Sequence, residues 1–156
     1  MQDALLARLL ANEGSWHGSG QDHDGDPFTG HLLVTPVASG RGATLHYTAT
    51  DSHGAVIHEE IILVGPHPMG RIGLWSLGSE IDSVLEHRLR RTDGEGMWVF
   101  AFGVKGDLEA YRQEITLSFN RDGALEIKHA WGLPGQALHD GSSGRFVPAG
   151  DRTPAS

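Results

Sequence analysis

The chain contains no cysteine, which excludes a disulfide framework, a thiolate metal site and a cysteine nucleophile, and suits a reducing, cytoplasmic setting. Basic residues are scarce: 12 Lys and Arg stand against 20 Asp and Glu, a formal net charge of −8 with histidine neutral. That sign is wrong for condensing onto a nucleic-acid backbone or an anionic membrane surface, so neither is expected as a partner. Apolar runs such as Ile61 to Val64 are far too short to cross a bilayer, and no basic and then apolar leader opens the chain. Catalytic signatures are missing as well. There is no Gly-x-Ser-x-Gly elbow, no phosphate-cradling glycine loop and no His-Glu-x-x-His helix, so no enzyme class is indicated.

What the chain has in excess is glycine: 22 in 156 residues, about twice the usual frequency and scattered between short apolar runs, as many tight turns joining many short strands require. The first dozen residues place Leu5, Leu6, Leu9 and Leu10 at helical spacing, which predicts a short amphipathic helix. The period then changes to two. Thr44 to Thr50 sets Leu45, Tyr47 and Ala49 against Thr44, His46 and Thr48, and similar runs cover 55–64, 71–77, 84–91, 97–104, 110–119 and 125–131. With 15–19, 31–37 and a weaker run at 145–147 this makes about ten strands, and no helical pattern separates them. The expected fold is all-β: a closed up-and-down antiparallel barrel of about ten strands with a short N-terminal helix, because closure removes exposed sheet edges. One domain is expected over 1–149, with 150–156 as a flexible tail.

The helix leads directly into Gly14-Ser15-Trp16-His17-Gly18-Ser19-Gly20. This stretch resembles the Gly-x-Trp-x-Gly-x-Gly opening of nitrobindins and the Gly-x-Trp of lipocalins and fatty-acid-binding proteins, and so points to the calycin superfamily and to bacterial calycin-like families. A Trp on the first strand can plug the closed end of a barrel, and Gly14, Gly18 and Gly20 let that strand bend against its neighbours. The resemblance implies that an Arg covers the Trp16 ring by a cation–π contact, with Arg145 the first choice and Arg112 the second. The nitrobindin likeness also implies haem, held by a histidine near the C-terminus. His139, in Asp140-Gly141-Ser142 surroundings that read as a loop, and His129, on a strand, are the two residues to consider.

Alternation assigns inward faces: Leu85, His87 and Leu89; Trp98, Phe100 and Phe102; Tyr111, Gln113, Ile115, Leu117 and Phe119; Leu125, Ile127, His129 and Trp131. A ten-stranded barrel is wider than the eight-stranded ones that already enclose a small ligand, so these side chains should not meet without leaving space. An apolar or amphipathic small molecule is therefore expected inside, lined by Tyr47, His87, Trp98, Phe100, Tyr111, Gln113, His129 and Trp131.

Ten histidines raise the question of a metal. His23, His53 and His67 fall in turn-like segments, and His17, His31 and His46 on outward faces, so these are expected at the surface. His58 shares a face with Val56 and Ile62 but also with Glu60, which leaves its direction open. Asp22, Asp24 and Asp26 cluster hard oxygen ligands, but the spacing is not that of a calcium loop. Glu59 and Glu60 point to opposite faces and do not form an acid–base pair. No metal is assigned. Three readings follow: a ligand-binding barrel, a nitrobindin-like haem protein acting on nitrogen oxides or peroxynitrite, or a filled barrel working through its outer surface, with Trp75 marking a homodimer face.

Overall fold

Asp3 has the short carboxylate that helix N-termini favour, and in the computed structural model, which describes residues 3–150, it accepts a hydrogen bond from the Leu5 amide at 2.9 Å. The helix it caps, α1 (Ala4–Ala11), is too short to stand alone in water. It is held by burial of Leu5, Leu6 and Leu9, each worth about 2 kcal/mol. Asn12 ends it, and the Asn12 carbonyl accepts from the Trp16 indole at 3.0 Å.

Ten strands follow: β1 (Gly14–Gln21), β2 (Pro27–Val37), β3 (Gly42–Thr50), β4 (Val56–Pro66), β5 (Ile72–Gly78), β6 (Leu85–Thr92), β7 (Met97–Phe102), β8 (Arg112–Phe119), β9 (Leu125–Gly132) and β10 (His139–Pro148). Each pairs with its sequence neighbours, and β1 pairs with β10 to close the ring. The closed antiparallel barrel with one short N-terminal helix is therefore the observed architecture. Every odd strand starts, and every even strand finishes, at the end covered by α1. Burial alternates along β2 from Pro27 to Thr35 and along β3 from Ala43 onward, which is the two-residue period made solid.

Closure depends on two glycines of the opening motif. A Cβ on Gly18 would stand 1.8 Å from the Arg145 carbonyl oxygen, and one on Gly20 would stand 2.0 Å from that of Ser143. The β1–β10 seam is thus narrower than any side chain permits. Trp16, 1% exposed, lies beside it and meets Phe119 edge-on at 6.3 Å.

Several expectations are corrected here. The cation at this end is Arg8, 4.3 Å above the Phe119 ring; Arg145 is half-exposed and pairs with Asp122 instead, because its position on β10 faces outward. Arg112 sits at the opposite end of the barrel. Its guanidinium, 1% exposed, donates to the carbonyls of Ala110, Lys105, Leu133 and Gln136, tying two loops together. His139 to Ser142 is not a loop but the start of β10, with a bulge between Asp140 and Ser142; the Trp131 ring lies over Gly141, where a Cβ would come within 2.1 Å. His67 is buried: its Nε2 donates to Glu86 at 2.8 Å and its Nδ1 accepts from the Met69 amide at 3.0 Å. Trp75 is half-buried and stacked on His67 at 5.8 Å. Of the tail expected over 150–156, residues 151–156 lie outside the described residues.

Candidate functional site

The half of the barrel nearest α1 is filled by Leu32, Val34, Leu45, Ile62, Val64, Leu74, Leu117, Ile127 and Phe146. Trp98 and Phe100, expected on the ligand, belong to this packed half and do not line the cavity. The other half stays open. A cavity of about 400 Å³ runs inward from the loop end and is lined by Phe28, Tyr47, Leu85, Tyr111, Gln113, His129 and Trp131 among others. His87, fully buried, stands behind the lining and donates from Nε2 to the Gln113 amide oxygen at 2.8 Å; burial lowers its pKa despite that bond. His139 is exposed and does not line the cavity; its ring centroid lies 5.7 Å from that of Trp131. His23, by contrast, reaches the mouth, its ring centroid 5.8 Å from that of Trp131.

At the inner end of the cavity three titratable side chains converge. Glu60 on β4 is 2% exposed, and its Oε1 accepts from His129 Nε2 at 2.8 Å and His58 Nε2 at 3.1 Å. Its Oε2 accepts from the Ser76 hydroxyl. His58 is further fixed by Glu80, whose two oxygens lie 2.8 Å from Nδ1. His129 Nδ1 is buried with no hydrogen-bond partner. Tyr47 closes the group, its ring centroid 5.4 Å from His58 and 6.1 Å from His129.

The cluster is strongly polarised. Burial alone would raise the Glu60 carboxyl, but the charge and hydrogen bond of His129, with bonds from His58 and Ser76, outweigh it and hold the group well below the usual carboxylate range. Burial alone would lower His58, yet Glu60 and then Glu80 push it up to about 9. Tyr47 is driven well above its ordinary value, by burial first and then by the Glu60 charge.

Glu60 is the residue that sequence reasoning missed. A glutamate among alternating apolar positions reads as outward-facing, and only its parity with Ile62 and Val64, both fully buried, signals otherwise. The same parity would have turned His58 inward.

No protein-family model and no curated sequence matches this chain. Solved structures do. The chain is similar to Rv2717c from M. tuberculosis, with a TM-score of 0.62 and 15% identity over 96% of this chain and 100% of that one. A de novo designed fluorescence-activating beta barrel gives a TM-score of 0.48 and 15% identity, over 95% of this chain and 99% of that one. The first likeness is one of fold: an antiparallel barrel built to the same plan.

Proposed function

We propose that this protein is a calycin-like barrel that binds an amphipathic small molecule in its open half. The observation that carries the reading is the cavity of about 400 Å³ in a barrel whose other half is close-packed, since filled interiors are the rule and a void of this size forgoes dispersion contacts. Phe28, Tyr47, Leu85 and Trp131 supply an apolar wall for the body of the ligand. Gln113, Tyr111 and the His58–Glu60–His129 group supply hydrogen bonds for its polar end. A filled barrel acting only through its outer surface fits this interior poorly.

Haem, the second reading, fits the donor set less well. His129 Nε2 is turned into Glu60, so its free ring nitrogen is the buried Nδ1, and His139 lies outside the cavity. Asp22, Glu60 and Glu80 line the site and, among the described residues, no Lys or Arg does, leaving haem propionates against like charge with no Lys or Arg to meet them.

The test is displacement of an uncharged environment-sensitive dye such as Nile red by a panel of long-chain alcohols, amines and fatty acids, beside a haemin titration. Saturable dye binding at one site per chain, lost in Ala49→Phe at unchanged circular dichroism, supports the reading. Ala49 lines the cavity, so a benzyl group there takes up the space. Dye binding that survives Ala49→Phe, or a Soret shift at one haemin per chain, overturns it.

A further inference from the structure

His58 and Glu60 stand two residues apart on β4 and His129 on β9 across the ring, yet one nitrogen or oxygen atom of each points at a common centre. One donor atom from each of His58, Glu60 and His129 lies within 4.8 Å of the other two, and Glu60 Oε1 stands 2.8 Å from His129 Nε2 and 3.1 Å from His58 Nε2. Donors bound to one tetrahedral zinc at about 2.1 Å stand about 3.4 Å apart. The two contacts to Glu60 therefore need to open by about 0.6 and 0.3 Å to admit an ion between the groups.

We infer that the inner end of the cavity is a site for a first-row divalent cation of the zinc class, held by His58, Glu60 and His129 and open to the cavity on its remaining side. Two imidazoles and one carboxylate suit zinc or iron(II), and are a poor set for magnesium or calcium, which want oxygen alone. Three protein donors leave one position for water or for a ligand atom, the arrangement of sites that act on what they bind rather than merely staple a fold.

The surroundings agree. Metal-bound histidines commonly give their outer nitrogen to a carboxylate, and His58 Nδ1 already has Glu80 at 2.8 Å. The outer oxygen of Glu60 is held by Ser76, so both groups are oriented from behind, as a metal site requires. His129 has no such anchor: its Nδ1 is unpartnered, while its Nε2 faces Glu60. A purely structural role explains the cluster less well, because a buried ion-pair group is seldom more stable than apolar side chains of the same volume. The other cluster of possible ligands among the described residues, Asp22, Asp24 and Asp26, lies in a turn where Asp22 Oδ1 already accepts from the Asp24 and Asp26 amides at 2.9 Å. It carries no inference.

The experiment is titration of chelator-treated full-length protein with zinc by calorimetry, and with cobalt(II) by visible absorption, whose intense d–d bands report a tetrahedral site. We expect one ion per chain, and affinity at least tenfold weaker in each of His58→Asn, Glu60→Gln and His129→Asn. Glu80→Gln should weaken it by about tenfold, in the range for outer-shell partners, and Asp24→Asn not at all. Absence of stoichiometric uptake, or uptake undiminished in His58→Asn and His129→Asn, overturns the inference. Should those variants not fold, nitrogen-15 spectra of the wild-type histidine rings decide: zinc must shift the resonances of His58 and His129 first among the ten histidines, and a shift confined to the exposed ones refutes the site. The inference shares the cavity with the ligand reading but does not depend on it. Loss of zinc binding leaves dye displacement untouched, and failure of dye displacement leaves the zinc titration unaltered.

Discussion

Glu60 and His129, 69 residues apart in the chain, meet at 2.8 Å across the barrel interior. This pair joins β4 to β9, strands on opposite sides of the ring that share no backbone ladder. Cutting it leaves two imidazoles facing a vacated, water-poor space. Glu60→Ala should therefore destabilise the metal-free protein by about 3–5 kcal/mol, as removal of one member of a buried charged group does. Glu60→Gln should cost less, since its amide oxygen still accepts from one histidine. Urea midpoints at neutral pH check both values and their order.

A second expectation concerns pH. His58 titrates at about 9 in the folded protein against an ordinary 6.5, so it holds its proton where the unfolded chain has lost it. Its stabilisation is complete below pH 6.5 and disappears as pH rises toward 9. Glu60 is shifted the other way, so its stabilisation is complete above 4.5 and fades as pH falls below that value. Chelator-treated protein should be most resistant to urea between these limits. In His58→Gln the loss on the alkaline side should shrink; an unchanged alkaline slope would assign it to other groups.

The β1–β10 seam offers a third. Gly18→Ala brings a methyl group to 1.8 Å from the Arg145 carbonyl oxygen, so the strands must part and ladder hydrogen bonds lengthen. A loss above about 3 kcal/mol is expected, beyond the ordinary range for single substitutions. Gly106→Ala, where a Cβ meets nothing within 4 Å, should stay within about 0.5 kcal/mol of wild type. Thermal melts of the two variants side by side measure the contrast.

Arg112 gives a fourth. Its guanidinium serves four carbonyls and no carboxylate, so the planar fork is the working feature rather than the charge. Arg112→Lys should fail to rescue the defect of Arg112→Met. Hydrogen exchange should quicken in both variants at 103–111 and 133–138, the two loops it joins, while the strands near α1 keep their protection.

Much of the barrel was legible because period-two alternation is a local signal: Tyr47, Gln113, His129 and Trp131 face inward as their neighbours require. Alternation says which face, however, and not how far along the axis. Trp98 and Phe100 lie in the early part of β7, an odd strand that begins beside α1, and so they fall in the packed half. Counting strands from the helix would have placed them there. Arg8 over Phe119 was hidden for another reason, since it depends on how a helix settles on the barrel rim and no strand period encodes that. Glu60 stayed hidden because a buried carboxylate is stable only with partners drawn from β4, β5 and β9, which no single stretch of chain reveals.

The seam between the first and last strands carries one more consequence. Since Trp16 stands opposite Pro148 in that pairing, the chain enters and leaves the barrel on the side that α1 stoppers. Asp3, which caps α1, and Ala149, whose amide donates to the Ser15 carbonyl at 2.8 Å, both lie at the rear of the molecule. A fusion partner, affinity tag or surface tether at either terminus should leave the entrance unobstructed, so the protein can be immobilised by its ends with its opening toward the solution.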